Sequence, residues 1–113
     1  MSWKLYLDDV RPLPEKFIQE GSFIVARSCA AAQALVLTKG APSFISFDHD
    51  LGFEPDGSEN NGKSFAVWLC DQDMDGIINI DQEFSFSIHS SNPAGRINIE
   101  SYMNSYLKSK RGS

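Results

Sequence analysis

The sequence predicts an α/β fold, an open and mainly parallel sheet of about four strands with helices on its faces. Three observations predict it. Short apolar runs rich in strand-forming residues alternate with helix-like segments, an order that favours parallel pairing through crossover connections. The clearest of those helices carries a start and a stop signal of its own. The chain has 113 residues with 42% apolar side chains, enough to bury a core without help from a metal or disulfide, so one domain over residues 1–113 is expected.

The first strand, Lys4 to Leu7, stops abruptly at Asp8 and Asp9. Arg11-Pro-Leu-Pro14 then continues neither a ladder nor a helix. Phe23 to Ala26 is the second strand. Ser28 is a good N-cap for the alanine-rich helix Cys29 to Lys39, and Gly40 closes it. After Pro42, the third strand Phe44 to Phe47 also ends in acid, at Asp48-His49-Asp50-Leu51-Gly52. Phe53 to Gly62, with Pro, Gly and two Asn, is a loop, either plain coil or a functional flap. Lys63 to Cys70 is a helix with Phe65 and Leu69 inward, and Asp71 to Asp81 is a polar turn region. Phe84-Ser-Phe-Ser-Ile88 alternates as a fourth strand with its apolar residues on one face, ending at His89. Asn92 to Gly95 is a turn, and Arg96 to Lys108 is a helix burying Ile99, Tyr102, Met103 and Tyr106 or Leu107. The basic residues Lys108, Lys110 and Arg111 read as a solvated, frayed tail.

Ten Lys and Arg stand against fifteen Asp and Glu, a net charge of −5. That balance argues against extended nucleic-acid binding, which needs cations to replace condensed counterions. It leaves room for a small phosphate ligand, because a metal ion or a few local donors can hold one on an acidic protein. No apolar run approaches the ~20 residues of a spanning helix. Met1 to Tyr6 lacks the basic start of a signal segment, so a cytoplasmic protein without a membrane association is expected. Cys29 and Cys70 then read as reduced, partly buried thiols with no catalytic role.

Three strands end in ionisable residues, and ligand sites in open α/β sheets lie outside the carboxyl ends of the strands. With strands about 4.8 Å apart, these ends fall within roughly 10 Å of one another if the strands are neighbours. Asp and His also cap or turn chains after strands for purely structural reasons, but their gathering on one sheet edge favours a shared site. Four carboxylates there would repel unless neutralised, so Asp8, Asp9, Asp48 and Asp50 are candidate ligands of a divalent cation, Mg²⁺ or Mn²⁺. His49 and His89, the two histidines of the chain, are candidate acid and base beside Asp48. Their service as transition-metal ligands is the alternative. The segment from His89 to Arg96 offers a phosphate half-site through Ser90, Asn92, Gly95 and Arg96, combining close backbone approach, a helix N-terminus and a guanidinium fork. The plainer alternative is that Asn92 caps the helix and Arg96 points into water.

Leu7-Asp8-Asp9-Val10-Arg11-Pro12, Phe47-Asp48-His49-Asp50-Leu51-Gly52 and His89-Ser90-Ser91-Asn92-Pro93-Ala94-Gly95-Arg96-Ile97-Asn98-Ile99 resemble the three signatures of the cyclic-phosphate processing receiver domain family of bacteria and phages. The resemblance covers nearly the whole chain. It implies a truncated receiver- or flavodoxin-like fold and a phosphoesterase-like activity that hydrolyses or otherwise processes a cyclic phosphate on a nucleotide or RNA end. Set against ordinary receivers, Asp8 and Asp9 match the acidic pair that holds Mg²⁺, and Asp48 matches the phosphoacceptor. His89 and Ser90 replace the switch Ser or Thr, and no fifth strand ending in Lys follows. Hydrolysis is therefore expected in preference to phosphotransfer signalling. The rival class is a non-enzymatic receiver-like module that binds metal, phosphate or a cyclic nucleotide.

A third reading rests on Asp71-x-Asp73-x-Asp75-Gly76-x-Ile78, which fits the first eight positions of an EF-hand loop and would make the chain a calcium-binding protein through residues 71–82. Position twelve is Gln82, with Glu83 one residue late, and a strand-like segment follows where a helix is required. A solvated acidic turn fits these residues better.

Overall fold

The computed structural model describes residues 3–53 and 59–112 of the chain. Its elements run β1 (Lys4–Leu7), α1 (Glu15–Glu20), β2 (Phe23–Ala26), α2 (Cys29–Lys39), β3 (Phe44–Phe47), β4 (Asp50–Phe53), β5 (Glu59–Asn61), α3 (Gly62–Met74), β6 (Ser85–Ile88) and α4 (Pro93–Gly112). The four segments expected as strands form a parallel sheet in the order β2-β1-β3-β6, the last beginning at Ser85 instead of Phe84. β1 therefore lies inside, with β2 on one side of it and β3 on the other, which makes the gap between β1 and β3 the switch point of the sheet. The α/β architecture is as the sequence predicts.

Alternation along the strands sorts the side chains onto two faces. Leu5, Leu7, Ile45 and Phe47 have no exposure and pack with Ala32 and Val36 of α2, Phe65, Ala66 and Leu69 of α3, and Ile99 and Met103 of α4. Tyr6, Phe44 and Ser46 lie on the opposite face in register with Val25, Ser85 and Ser87. The short helix α1 covers part of that face through Phe17, stacked 4.4 Å from Phe23 and edge-on to Tyr6 and Phe44.

Where local signals are complete, the elements match their expected bounds. α2 begins at Ser28, whose Oγ accepts from Ala31 N at 3.1 Å, and stops at Gly40 with φ of 86°, a conformation that favours glycine. The differences come from tertiary contacts. α1 forms although its entry is rich in proline, because Pro14 precedes the helix, where a missing N–H costs nothing. The expected loop 53–62 is closed at its base by antiparallel pairing of β4 with β5. Its middle, where a flap would lie, falls outside the described residues. α3 runs one turn further than the sequence suggests, to Met74.

Of the C-terminal basic residues, Lys110 and Arg111 are anchored instead of frayed. Lys110 Nζ donates to both carboxylate oxygens of Asp73 at 2.8 Å and to Ile80 O at 2.7 Å, and Arg111 Nη2 donates to Phe84 O at 2.8 Å. Asp73 also accepts from Tyr106 Oη and from Ile80 N. Burial favours the protonated Asp73, but these donors outweigh it and hold the carboxyl below its ordinary range. Both free cysteines are buried. Among the described residues no helix is long and apolar enough to cross a membrane.

This geometry makes Asp73 the clamp that joins α3, the following loop and α4. Asp73→Ala is expected to lower stability by about 1.5–3 kcal/mol, the scale of charged hydrogen bonds lost from a protein. Thermal unfolding should show the same loss in calcium and in EDTA. A calcium-induced rise in Tm that disappears in Asp73→Ala would make this residue a cation ligand instead.

Candidate functional site

Register explains why three strand ends meet. Leu7 pairs with Phe47, and Phe47 with Ile88, so the next residues, Asp8, Asp48 and His89, leave the sheet side by side. The ladder continues through them: Asp8 N donates to Ala26 O at 3.1 Å, Asp48 N to Leu7 O at 3.0 Å, and His89 N to Phe47 O at 2.9 Å. Their ligand atoms lie within 4.8 Å of one another. Among the described residues, no other group of three or more His, Cys, Asp and Glu side chains draws together in this way.

Asp8 has no exposure and Asp48 only 8%. Asp8 Oδ1 accepts from Val10 N at 2.9 Å and Arg11 N at 2.8 Å, and Oδ2 meets His89 Nε2 at 2.9 Å. Burial pushes the Asp8 carboxyl up, but the two backbone N–H groups and His89 together hold it below its usual range. Asp48 is shifted the other way. Burial and then the neighbouring Asp8 charge raise its pKa, and His89, the His49 N–H and the Ser90 hydroxyl offset only part of this. Two carboxylates and an imidazole, with one carboxylate incompletely compensated, make a donor set that fits a divalent cation.

Both ring nitrogens and one face of His89 are engaged. Its Nδ1 lies 2.7 Å from Ser46 Oγ, which is 3.4 Å from Ser87 Oγ, and its ring stacks on Tyr6 at 4.6 Å and 7°. Ser46, Tyr6 and Ser87 were not among the residues singled out from sequence. A single serine in the apolar strand Phe44-Ile-Ser-Phe47 is the signal for the first of them.

His49 and Asp50 form a second pair beside this group. His49 Nδ1 lies 2.8 Å from Asp50 Oδ1. Asp50 is exposed, and the bond to His49, opposed weakly by burial and helped by Asn92, keeps its carboxyl low. The His49 ring rests on Gly95, where an added Cβ would stand 2.4 Å from Cγ. Glycine there gives the histidine its place. Asp9 is half-buried and stands outside the three-residue group.

The four phosphate candidates are engaged as follows. Asn92 caps α4, with Oδ1 accepting from Gly95 N at 3.0 Å, while Nδ2 donates to Asp50 at 3.3 Å. Ser90 is buried, bonds Asp48 and accepts from Asn92 N. Arg96 is exposed on α4 near Glu100, lining a groove with β6 and a second one with Ser90 and Ser91. Of the EF-hand-like residues, Asp71 and Asp73 lie on the last turn of α3, and Asp75 caps its end.

The opposite shifts of Asp8 and Asp48 set opposite expectations. Asp8 contributes stability at pH above its unfolded value, and this is lost as pH falls through its depressed folded pKa. Ionised Asp48 opposes folding at neutral pH, and the penalty is relieved as pH falls through its raised folded pKa toward the unfolded value. In EDTA at pH 7, thermal unfolding should therefore find Asp48→Asn more stable than the wild type by a few degrees. Asp8→Asn should be less stable by about 1.5–3 kcal/mol for its charged hydrogen bonds. Equal Tm values for Asp48→Asn and wild type would mean that Asp48 carries no such penalty.

The chain was compared with known families, curated proteins and solved structures. No curated protein and no solved structure matches it. Residues 3–105 match the cyclic-phosphate processing receiver domain, a span that includes β1, β3, β6 and all three strand-end residues. The four-stranded parallel sheet with flanking helices is the receiver-like fold that this match implies, and the chain belongs to the cyclic-phosphate processing receiver domain family.

Proposed function

We propose that this domain opens a cyclic phosphodiester on a nucleotide or an RNA terminus by metal-dependent hydrolysis. The observation that carries the reading is the convergence of Asp8, Asp48 and His89 at the carboxyl edge of the sheet, in a chain whose family is named for processing cyclic phosphates. Asp8, Asp48 and His89 would hold a divalent cation, Mg²⁺ or Mn²⁺, with Asp9 the nearest further carboxylate in sequence. When bound, such an ion neutralises the buried carboxylates and polarises the phosphodiester.

His49 is the general base in this scheme. Asp50 stays ionised and takes the Nδ1 proton in a hydrogen bond, which leaves the Nε2 lone pair to accept a proton from water. Water supplies the new oxygen on phosphorus, the bond to one ring oxygen breaks, and that oxygen takes the proton His49 received from the water and leaves as a hydroxyl. Asp50 is then a positioning residue, with Asn92 holding its carboxylate from the other side.

Incubation with Mg²⁺ or Mn²⁺ and 2′,3′-cyclic or 3′,5′-cyclic nucleotides, followed by phosphorus NMR, tests the proposal. Ring opening should require the metal and stop when it is chelated. His49→Ala should cost about 10²–10⁴-fold, the usual contribution of a positioned base. Full activity in both His49→Ala and His89→Ala would remove the histidines from the reaction. Metal and nucleotide binding without turnover would make the domain a receiver-like binding module.

A further inference from the structure

Two guanidinium groups stand at the edge of the carboxylate group, and neither belongs to the phosphate candidates found in the sequence. Arg11 follows Asp8 by three residues. Its Nη1 donates to His89 O at 2.9 Å, and its Nε lies 3.9 Å from Asp8 Oδ2, with 46% of the side chain exposed. Arg27 leaves the end of β2 and is also exposed. Its Nη1 donates to Asp8 O at 3.1 Å and to Arg11 O at 2.5 Å.

The nature of these anchors matters. Most are backbone carbonyls, which orient a guanidinium without cancelling its charge. Among the described residues Arg27 makes no ion pair, and Arg11 makes one long contact only. Arg11 Nη2 and Arg27 Nε and Nη2 keep donors that no described residue accepts. Arg27 is thus held on the main chain of the strand end Asp8 to Arg11, while the Arg11 guanidinium reaches the end of β6, so both cations stand beside Asp8 with donors to spare for an anion. Arg96, by contrast, lies beside Glu100 on the α4 surface.

We propose that Arg11 and Arg27 form a two-guanidinium clamp that receives the phosphate of the ligand above Asp8 and Asp48. The inference rests on the phosphate-processing reading of this site and names the ligand class more closely. Two fixed cations favour a doubly charged phosphomonoester over a singly charged cyclic diester, so the opened product binds more tightly than the ring.

Calorimetry with adenosine 3′-monophosphate in the presence of Mn²⁺ tests the clamp. Arg11→Gln and Arg27→Gln should each weaken binding by about ten- to hundred-fold, the cost of losing charged hydrogen bonds. Arg27→Lys should fall between, because it keeps the charge and loses the fork. Lys39→Gln, exposed at the end of α2, should stay within about two-fold of wild type, and the Mn²⁺ affinity of Arg27→Gln should be unchanged. If Arg11→Gln fails to fold, the Arg27 variants decide alone. Unchanged monophosphate affinity in Arg27→Gln, a parallel loss of Mn²⁺ affinity, or a large effect of Lys39→Gln would each overturn the clamp, as would a wild-type protein that binds no monophosphate. A wild-type protein that binds the monophosphate but leaves cyclic nucleotides intact would refute hydrolysis and leave the clamp standing.

Discussion

Two carboxylates, Asp8 and Asp48, sit next to each other with almost no contact with water, and much of the surrounding architecture answers to that fact. Ionised groups withdrawn from water need partners, since desolvation costs several kcal/mol per ion even after relaxation. Asp8 receives its partners from its own chain: the backbone folds back so that Val10 and Arg11 present N–H groups to it, and His89 arrives from another strand. Asp48 receives fewer. The start of α3 comes close to its main chain, for a Cβ on Gly62 would stand 2.1 Å from Asp48 O. The shortfall at Asp48 is what a cation, under the reading proposed above, would make good.

How far the fold was legible follows from where its information lies. Helix α2 is written locally, in Ser28 and Gly40, and its bounds match. The strand ends are equally plain, because acid interrupts apolar runs at Asp8 and Asp48. Register is not local. Sequence left Asp8, Asp9, Asp48, Asp50 and both histidines as near-equivalent members of one cluster, and only the pairing of Leu7, Phe47 and Ile88 separates Asp8, Asp48 and His89 from the rest. The β4–β5 pairing was missed for the same reason: Asp50 opposite Asn61 is a contact that neither residue announces. α4 was expected to fray at residues held by Asp73, Ile80 and Phe84, partners lying 27 to 37 positions away. Arg11 was visible within its motif, but nothing local indicates that its guanidinium returns to the end of β6.

Among the described residues the sheet ends at β6 on one side. An open edge presents unpaired backbone groups and invites association. Here the edge is four residues long, and the carbonyl just before its start, Phe84 O, accepts from Arg111 at 2.8 Å. The C-terminal helix is thereby tied to the base of this strand, with Lys110 anchored to Asp73 and Ile80 beside it.

The contact between Asp8 and His89 spans 81 positions of the chain. Loop closure over such a separation is slow and comes late relative to local structure. No fragment, and no state in which β6 has detached, can contain the three-residue group. Ligand that binds only the finished arrangement must then draw on the folding equilibrium itself. Docking of β6 and assembly of the three-residue group are therefore one event, and a ligand seated there would hold the last strand in place as well as itself.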